Sequence, residues 1–185
     1  MAFAKYNDKL NFCPTNEAKA TKSILQKELI FVVQKHAASH LHYDLRLEME
    51  GVLKSWAIPK GPSMNPSNKR LAIRVADHPY CYKDFEGTIS EGNYGAGKVI
   101  VWDTGTYFLS GESIEGSHEN KMKKVLQQGH FSFILQGEKL KGEFSLVKLK
   151  GKQQNAWLLI KKNDAYASNV DILKKNNSVI SNEIL

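Results

Sequence analysis

Between Leu41 and Glu50 apolar and polar side chains alternate without a break: Leu41, Tyr43, Leu45, Leu47 and Met49 interleave with His42, Asp44, Arg46, Glu48 and Glu50. A period of two belongs to a β-strand, whose successive side chains leave opposite faces of a sheet. The segment therefore demands a sheet with one apolar and one polar face. On the polar face imidazole, carboxylate and guanidinium follow one another at two-residue steps. A half-buried strand with a solvated outer face would alternate in the same way. Against that stands His36, just past the apolar run Leu29–Val33. A strand over 29–33 and a short turn through Ala37, Ala38 and Ser39 would return His36 to His42 and Asp44. Two imidazole nitrogens and a carboxylate oxygen suit a divalent transition ion such as Mn, Fe or Zn. An arginine beside them suits a phosphate or carboxylate that shares the ion. Spacing alone leaves both the metal site and the solvated face open.

The same period recurs along the chain. Strands are expected at 29–33, 41–49, 52–58, 71–75, 99–102, 106–108, 130–135, 142–149 and 156–160, with Glu50-Gly51 as a hairpin turn. Pro59 and Pro62 impose a loop, and Asp77-His78-Pro79 is expected to end the strand before it. Asp103-Thr104-Gly105 reads as a hairpin turn. Gly92 to Lys98 imitates a phosphate-binding P-loop, but Val99 replaces the magnesium-binding Ser/Thr and a strand follows where a helix is needed. One helix is expected from a cap at Ser117 through Met122, Val125 and Leu126 to a stop at Gly129. About eight short strands without alternating βαβ units predict a mainly β protein, a compact antiparallel barrel or sandwich with one or two short helices. Residues 1–28 read as an N-terminal arm, 29–162 as the barrel domain, and 163–185 as a loosely held polar tail.

The 185 residues carry a formal net charge of +7, which favours a polyanionic partner. Ten lysines and two acids lie between Lys121 and Lys162, whereas the only arginines, Arg46, Arg70 and Arg74, fall in the segment that also holds four of the six histidines. The absence of a long uncharged apolar run or an apolar N-terminal signal core predicts a soluble chain away from membranes. Cys13 and Cys81 are isolated, as unpaired thiols in a reducing cytoplasm would be.

Taken in order, His36-(five residues)-His42-Tyr-Asp44-Leu-Arg46, Leu53-Lys-Ser-Trp56-Ala-Ile-Pro-Lys60-Gly-Pro62, Asp77-His78-Pro79, Phe85-Glu-Gly87, Gly92-Asn-Tyr94-Gly-Ala-Gly97 and Trp157-Leu-Leu-Ile-Lys161 closely resemble the 3′-phosphoesterase domain of bacterial and archaeal DNA ligase D. The resemblance runs from about Phe31 to Lys162. It implies a β-barrel and a manganese-dependent hydrolase that removes 3′-terminal ribonucleotides and 3′-phosphates from DNA, leaving a 3′-hydroxyl for ligation. Other divalent metals such as Zn2+ or Co2+ are compatible. By that resemblance His36, His42 and Asp44 are the metal ligands, and Arg46, Lys60, Arg70, His78 and Tyr82 surround the scissile phosphate. Glu17 matches an acidic position of the family's arm. The implied setting is a cytoplasmic, nucleoid-associated, free-standing monomer that works on DNA 3′ ends with a separate ligase, polymerase and end-joining proteins. Four positions depart from the family pattern. Leu10-Asn11 replaces a basic-acidic pair ahead of Phe12, and Ala76 replaces an acid two residues before His78. Where many relatives carry arginine, position 40 is His40. A non-catalytic module that positions DNA ends for a separate polymerase or ligase is the alternative, supported by the basic surface and the missing arm residues. A cupin-like enzyme acting on a small molecule is a third reading.

Overall fold

The computed structural model describes residues 28–111, 118–151 and 153–185. Their backbone forms strands β1 (Leu29–Ala37), β2 (Leu41–Met49), β3 (Val52–Ile58), β4 (Lys69–Pro79), β5 (Gly87–Ile89), β6 (Gly97–Leu109), β7 (His130–Gly137), β8 (Lys141–Lys148) and β9 (Ala156–Lys161), with helix α1 (His118–Gln128) between β6 and β7. All neighbours are antiparallel. The order β1-β2-β3-β4-β9-β8-β7-β6 closes on itself because β6 also pairs with β1, while short β5 adds to the start of β6. Closure leaves eight strands without an open edge. This is the predicted barrel. The arm, with Glu17, Leu10 and Asn11, lies outside the described residues, as does Ser117.

Alternation in β2 does what its period requires. Tyr43, Leu45, Leu47 and Met49 turn inward and join Phe31, Trp56, Trp102 and Phe133 in one apolar core. Helix α1 closes one end of the barrel with Met122, which is fully buried. Gly129 stops the helix at φ 74°, donating its N–H to the carbonyls of Val125 and Leu126. The other end holds the β1–β2 and β7–β8 turns and the residues beyond Lys162. That tail, expected to be loosely held, is tied down instead. Trp102 Nε1 donates to the Lys175 carbonyl at 2.6 Å, and Val179 N donates to the Val101 carbonyl at 3.0 Å. Among the described residues no helix is long and apolar enough to cross a membrane.

Two bulges depart from the sequence reading. The 103–105 stretch is not a hairpin turn, because β6 runs straight through it. Register against β1 shifts there, with Val33 opposite Asp103 but Gln34 opposite Val101. The extra residue turns Asp103 inward as well as Trp102, and its buried carboxylate accepts the backbone N–H groups of Glu138, Lys139 and Leu140. Burial pushes the Asp103 carboxyl above its usual value, against those three donors and the Lys139 charge. Similarly, β4 does not stop before Asp77. Ser55 faces Val75 while Leu53 faces His78, so β4 carries one extra residue and continues to Pro79. A bulge reverses the faces of everything beyond it.

Cys81 lies in the 3-10 turn Tyr80–Asp84 and is disulfide-bonded, not the free thiol its isolation suggests; Cys13 lies outside the described residues. The inference of a reducing compartment from free thiols loses that support.

Candidate metal centre

The outer face of β1 and β2 holds the histidine cluster. Strand β1 does not end at Val33 but continues to Ala37, and the hairpin sets His36 directly opposite His42, Gln34 opposite Asp44 and Val32 opposite Arg46. The two imidazole rings stand 4.7 Å apart, centroid to centroid. His36 Nδ1 lies 3.8 Å from Asp44 Oδ2, and His42 Nε2 lies 3.8 Å from Asp44 Oδ1. One ligand atom from each residue falls within 4.8 Å of the others. Two donors about 2.1 Å from a tetrahedral ion stand ~3.5 Å apart, so the three groups fit a divalent ion with little adjustment.

The remaining ring nitrogens settle the tautomers. His36 Nε2 is 2.9 Å from the Gly95 carbonyl, and His42 Nδ1 is 2.9 Å from the His40 carbonyl. A carbonyl can only accept, so each of these nitrogens carries the proton. That leaves the lone pairs of His36 Nδ1 and His42 Nε2 aimed at Asp44. Carbonyl-anchored imidazoles are the usual support of metal-binding histidines. Burial alone would raise the Asp44 carboxyl, but the Arg46 guanidinium, with the two histidines, holds it down to about 2. It is therefore an anion wherever the protein works.

Arg46 is the hub beside these three residues. It is 3% exposed and donates from Nε to Gln34 Oε1 at 2.7 Å, from Nη1 to Ser55 Oγ at 2.9 Å and to His78 Nδ1 at 2.9 Å, and from Nη2 to Asp44 Oδ2 at 3.0 Å. A guanidinium has five N–H groups. Four are committed to these partners, and the fifth, on Nη2, lies on the Asp44 side. His78 Nδ1 meets both the Arg46 Nη1 donor at 2.9 Å and the Ala76 carbonyl acceptor at 3.0 Å. The β4 bulge is what turns His78 to this face. It is clamped by Asp77, which pairs with Lys54 at 2.5 Å and with Arg74, whose guanidinium lies 4.9 Å over the Trp56 ring. Tyr82 covers the group, 5.1 Å from the His78 ring and 5.2 Å from Arg46, and stacks on Phe85 at 4.7 Å. Burial pushes its phenol above the usual range.

His36, His42, Asp44, Arg46, His78 and Tyr82 therefore meet in space. Lys60 is exposed in the turn after β3, and among the described residues no hydrogen bond or ion pair joins it to them. Arg70 pairs across the ladder with Leu159 and shares a strand face with Ala72, both core residues, so its register turns it toward the barrel interior. Its Nε is buried without a hydrogen-bond partner among the described residues. The exposed side chain of His40 is no ligand here; its carbonyl is what serves the site. Ala76 likewise contributes its carbonyl, 3.0 Å from His78 Nδ1.

Two members were not anticipated. Gln34, fully buried, accepts from Arg46 and donates to the carbonyls of Tyr82 and Phe85, both at 3.0 Å. Ser55 bridges Arg46 and the Leu53 carbonyl. Extending β1 to Ala37 would have revealed Gln34, since it lies two residues before His36 on the same face. The lysines of 121–162 do not form one patch. Lys161 is buried and bound to Asp164, Lys139 is buried, and Lys123 pairs with Glu50 at the α1 end. The histidines stand at the opposite end of β2.

Residues 34–148 match the family model of the DNA ligase D 3′-phosphoesterase domain. The chain is 46% identical over 190 residues to the multifunctional non-homologous end joining protein LigD of Pseudomonas aeruginosa, an alignment covering 98% of this chain and 21% of that protein. It is 43% identical over 128 residues to the multifunctional non-homologous end joining DNA repair protein LigD of Mycobacterium tuberculosis, covering 69% of this chain and 15% of the relative. The corresponding protein of Mycolicibacterium smegmatis is 40% identical over 132 residues. The chain thus spans about a fifth or less of the length of these curated relatives.

Proposed function

Because the chain belongs to the DNA ligase D 3′-phosphoesterase domain family, we propose that it is a metal-dependent hydrolase that heals DNA 3′ ends, removing 3′-phosphates and 3′-terminal ribonucleotides to leave a 3′-hydroxyl for ligation. The observation that carries this reading is the pair of histidines whose outer nitrogens are locked to the Gly95 and His40 carbonyls, so that both inner lone pairs converge with an Asp44 carboxylate.

His36 Nδ1, His42 Nε2 and Asp44 would hold the ion, for which we propose Mn2+. When bound it would polarise the phosphate and lower the pKa of a water. The protein's own groups do the rest. Arg46 has one N–H left for a non-bridging phosphate oxygen, and its four protein partners fix where that hydrogen points. Water adds to phosphorus as the bond to the 3′-oxygen breaks, and the His78 imidazole is the donor for that departing oxygen. Tyr82 and Phe85 keep bulk water off Arg46, which strengthens each charge-assisted bond. Lys60 supplies a point charge from the rim, while Arg70 and Glu17 are proposed contributors that this network does not include.

The protein would act on DNA in the cytoplasm alongside end-joining proteins. A 5′-labelled oligonucleotide ending in a 3′-phosphate tests the reading. Turnover to a 3′-hydroxyl with Mn2+, stopped by EDTA and absent in His36→Ala, is expected. Tight binding of the same oligonucleotide with no turnover under any divalent metal would replace the hydrolase with an end-binding module.

A further inference from the structure

The glycine-rich loop between β5 and β6 is more than a connector. Its Gly95 carbonyl orients His36. Gly92, Gly95 and Gly97 have φ of 86°, 79° and 142°, conformations that side chains other than glycine rarely adopt. Asn93 N donates to the Ser90 carbonyl at 3.3 Å and Ala96 N to the Asn93 carbonyl at 3.1 Å, so the loop is internally braced. At its base a Cβ on Gly97 would overlap the Ala37 carbonyl, which presses the loop against the β1–β2 hairpin. Between these fixed points sits Tyr94, which is 79% exposed, more than any other exposed large apolar residue described. The β1–β2 turn behaves in parallel. Its His40 carbonyl orients His42, and the next residue, Leu41, is 51% exposed. Each turn that locks a histidine thus also presents a large apolar side chain beside the locking carbonyl.

We propose that Tyr94 is a stacking platform for the nucleobase of the substrate's 3′-terminal nucleotide, a base subsite next to the metal centre. This rests on the proposed function in requiring a nucleotide at the ligand cluster. The chemistry suits an enzyme that processes any terminus, because an aromatic ring stacks on every base without reading it. A braced loop also holds the ring ready, so little freedom is lost when a base arrives.

The test uses two oligonucleotides that end in a 3′-phosphate, one with an ordinary terminal nucleoside and one with an abasic terminal residue. Tyr94→Ala should raise KM about tenfold or more for the first, in line with stacking measured elsewhere by alanine substitution, and leave kcat unchanged. On the abasic substrate Tyr94→Ala and wild type should share one KM, and Tyr94→Phe should match wild type on both. Equal losses on the two substrates, or no loss on either, overturns the proposal. Should the wild-type protein turn over neither, the same comparison is read as Kd by fluorescence anisotropy with Ca2+ present. A base-dependent loss of affinity in Tyr94→Ala then supports the platform although hydrolysis has failed, and a base-independent one refutes it. Manganese affinity by calorimetry should be the same in all three proteins.

Discussion

On the inner side of β2, Tyr43, Leu45, Leu47 and Met49 are 0–5% exposed; on the outer side Asp44, Arg46 and Glu48 are 2–7% exposed. Equal dryness is reached by opposite means. Inside, apolar side chains fill space, and attraction is non-directional and roughly proportional to area. Outside, among the described residues, Val32, Leu53, Tyr82 and Val101, with Ile30, Tyr80, Phe85 and Val179 packed against them, supply a smaller apolar cover, and the buried polar groups hold one another through directed hydrogen bonds. A partner removed from such a network leaves the others buried and unsatisfied. The inner face should therefore fail as a loss of stability, and the outer face as a loss of chemistry.

The sharpest contrast is between neighbours on β2. Alanine at His36, His42 or Asp44 should abolish turnover and calorimetric Mn2+ binding while the fold survives. Leu45→Ala, one residue from Asp44 but facing inward, should cost about 2–5 kcal/mol in denaturant unfolding, with normal kcat for the folded fraction. Manganese-dependent turnover in all three ligand variants would end the assignment. Arg46→Lys comes next. A lysine keeps the charge but cannot hold Gln34, Ser55, His78 and Asp44 together, so kcat should fall about a hundredfold, and wild-type kinetics would reduce Arg46 to a structural role.

Asp103 is a polar group on the inner side. Asp103→Ala strips acceptors from three backbone N–H groups, two of them in buried hydrogen bonds, and a loss of about 3 kcal/mol in stability is expected with manganese affinity untouched. A fall in metal affinity would show that the two faces are coupled through β1 and β6.

Asp77 tests the bulge. Burial alone would raise its carboxyl, but hydrogen bonds from Arg74 and Lys54 hold it below the usual carboxylate value. A depressed carboxyl contributes stability that is complete above its ordinary value of about 4 and fades as pH falls through the lower, folded one. Asp77→Asn should remove that acid-side dependence of stability and lower kcat several-fold through His78, with Mn2+ affinity unchanged. Identical acid unfolding profiles for variant and parent would refute the clamp. The smallest effect is expected at the α1 end. Gln at Lys121, Lys123 and Lys124 should leave affinity for a short oligonucleotide, and its salt dependence, as they were. A slope shallower by about 0.7–0.9 for each lysine removed would instead draw the DNA path across the helix.

Much of the site was legible because strand periodicity is local. Once Leu41–Glu50 alternates, His42, Asp44 and Arg46 must share a face, and any antiparallel hairpin through Ala37–Ser39 brings His36 to them. Gln34 and Ser55 were hidden by their surroundings. One follows an apolar run that looks like a finished strand, and the other is a small hydroxyl that gains meaning only beside Arg46. The 103–105 and 77–79 stretches were misread for a common reason. Asp-Thr-Gly and Asp-His-Pro are turn-forming residues, yet the ladder accommodates each group as a bulge or a strand end.

By itself, then, the amino-acid order determined where most strands lie, the inward face of β2 and the residues able to hold a metal, since each depends on side chains a few positions apart. Only the tertiary structure decided that the polar face would be buried, that His78 would join it while Arg70 turned inward, and that the tail would be fastened to the barrel. Those outcomes hang on single-residue shifts in register and on contacts between segments distant in the chain. A one-residue shift reverses which face a side chain takes, and the partners that make it favourable appear only when the barrel closes.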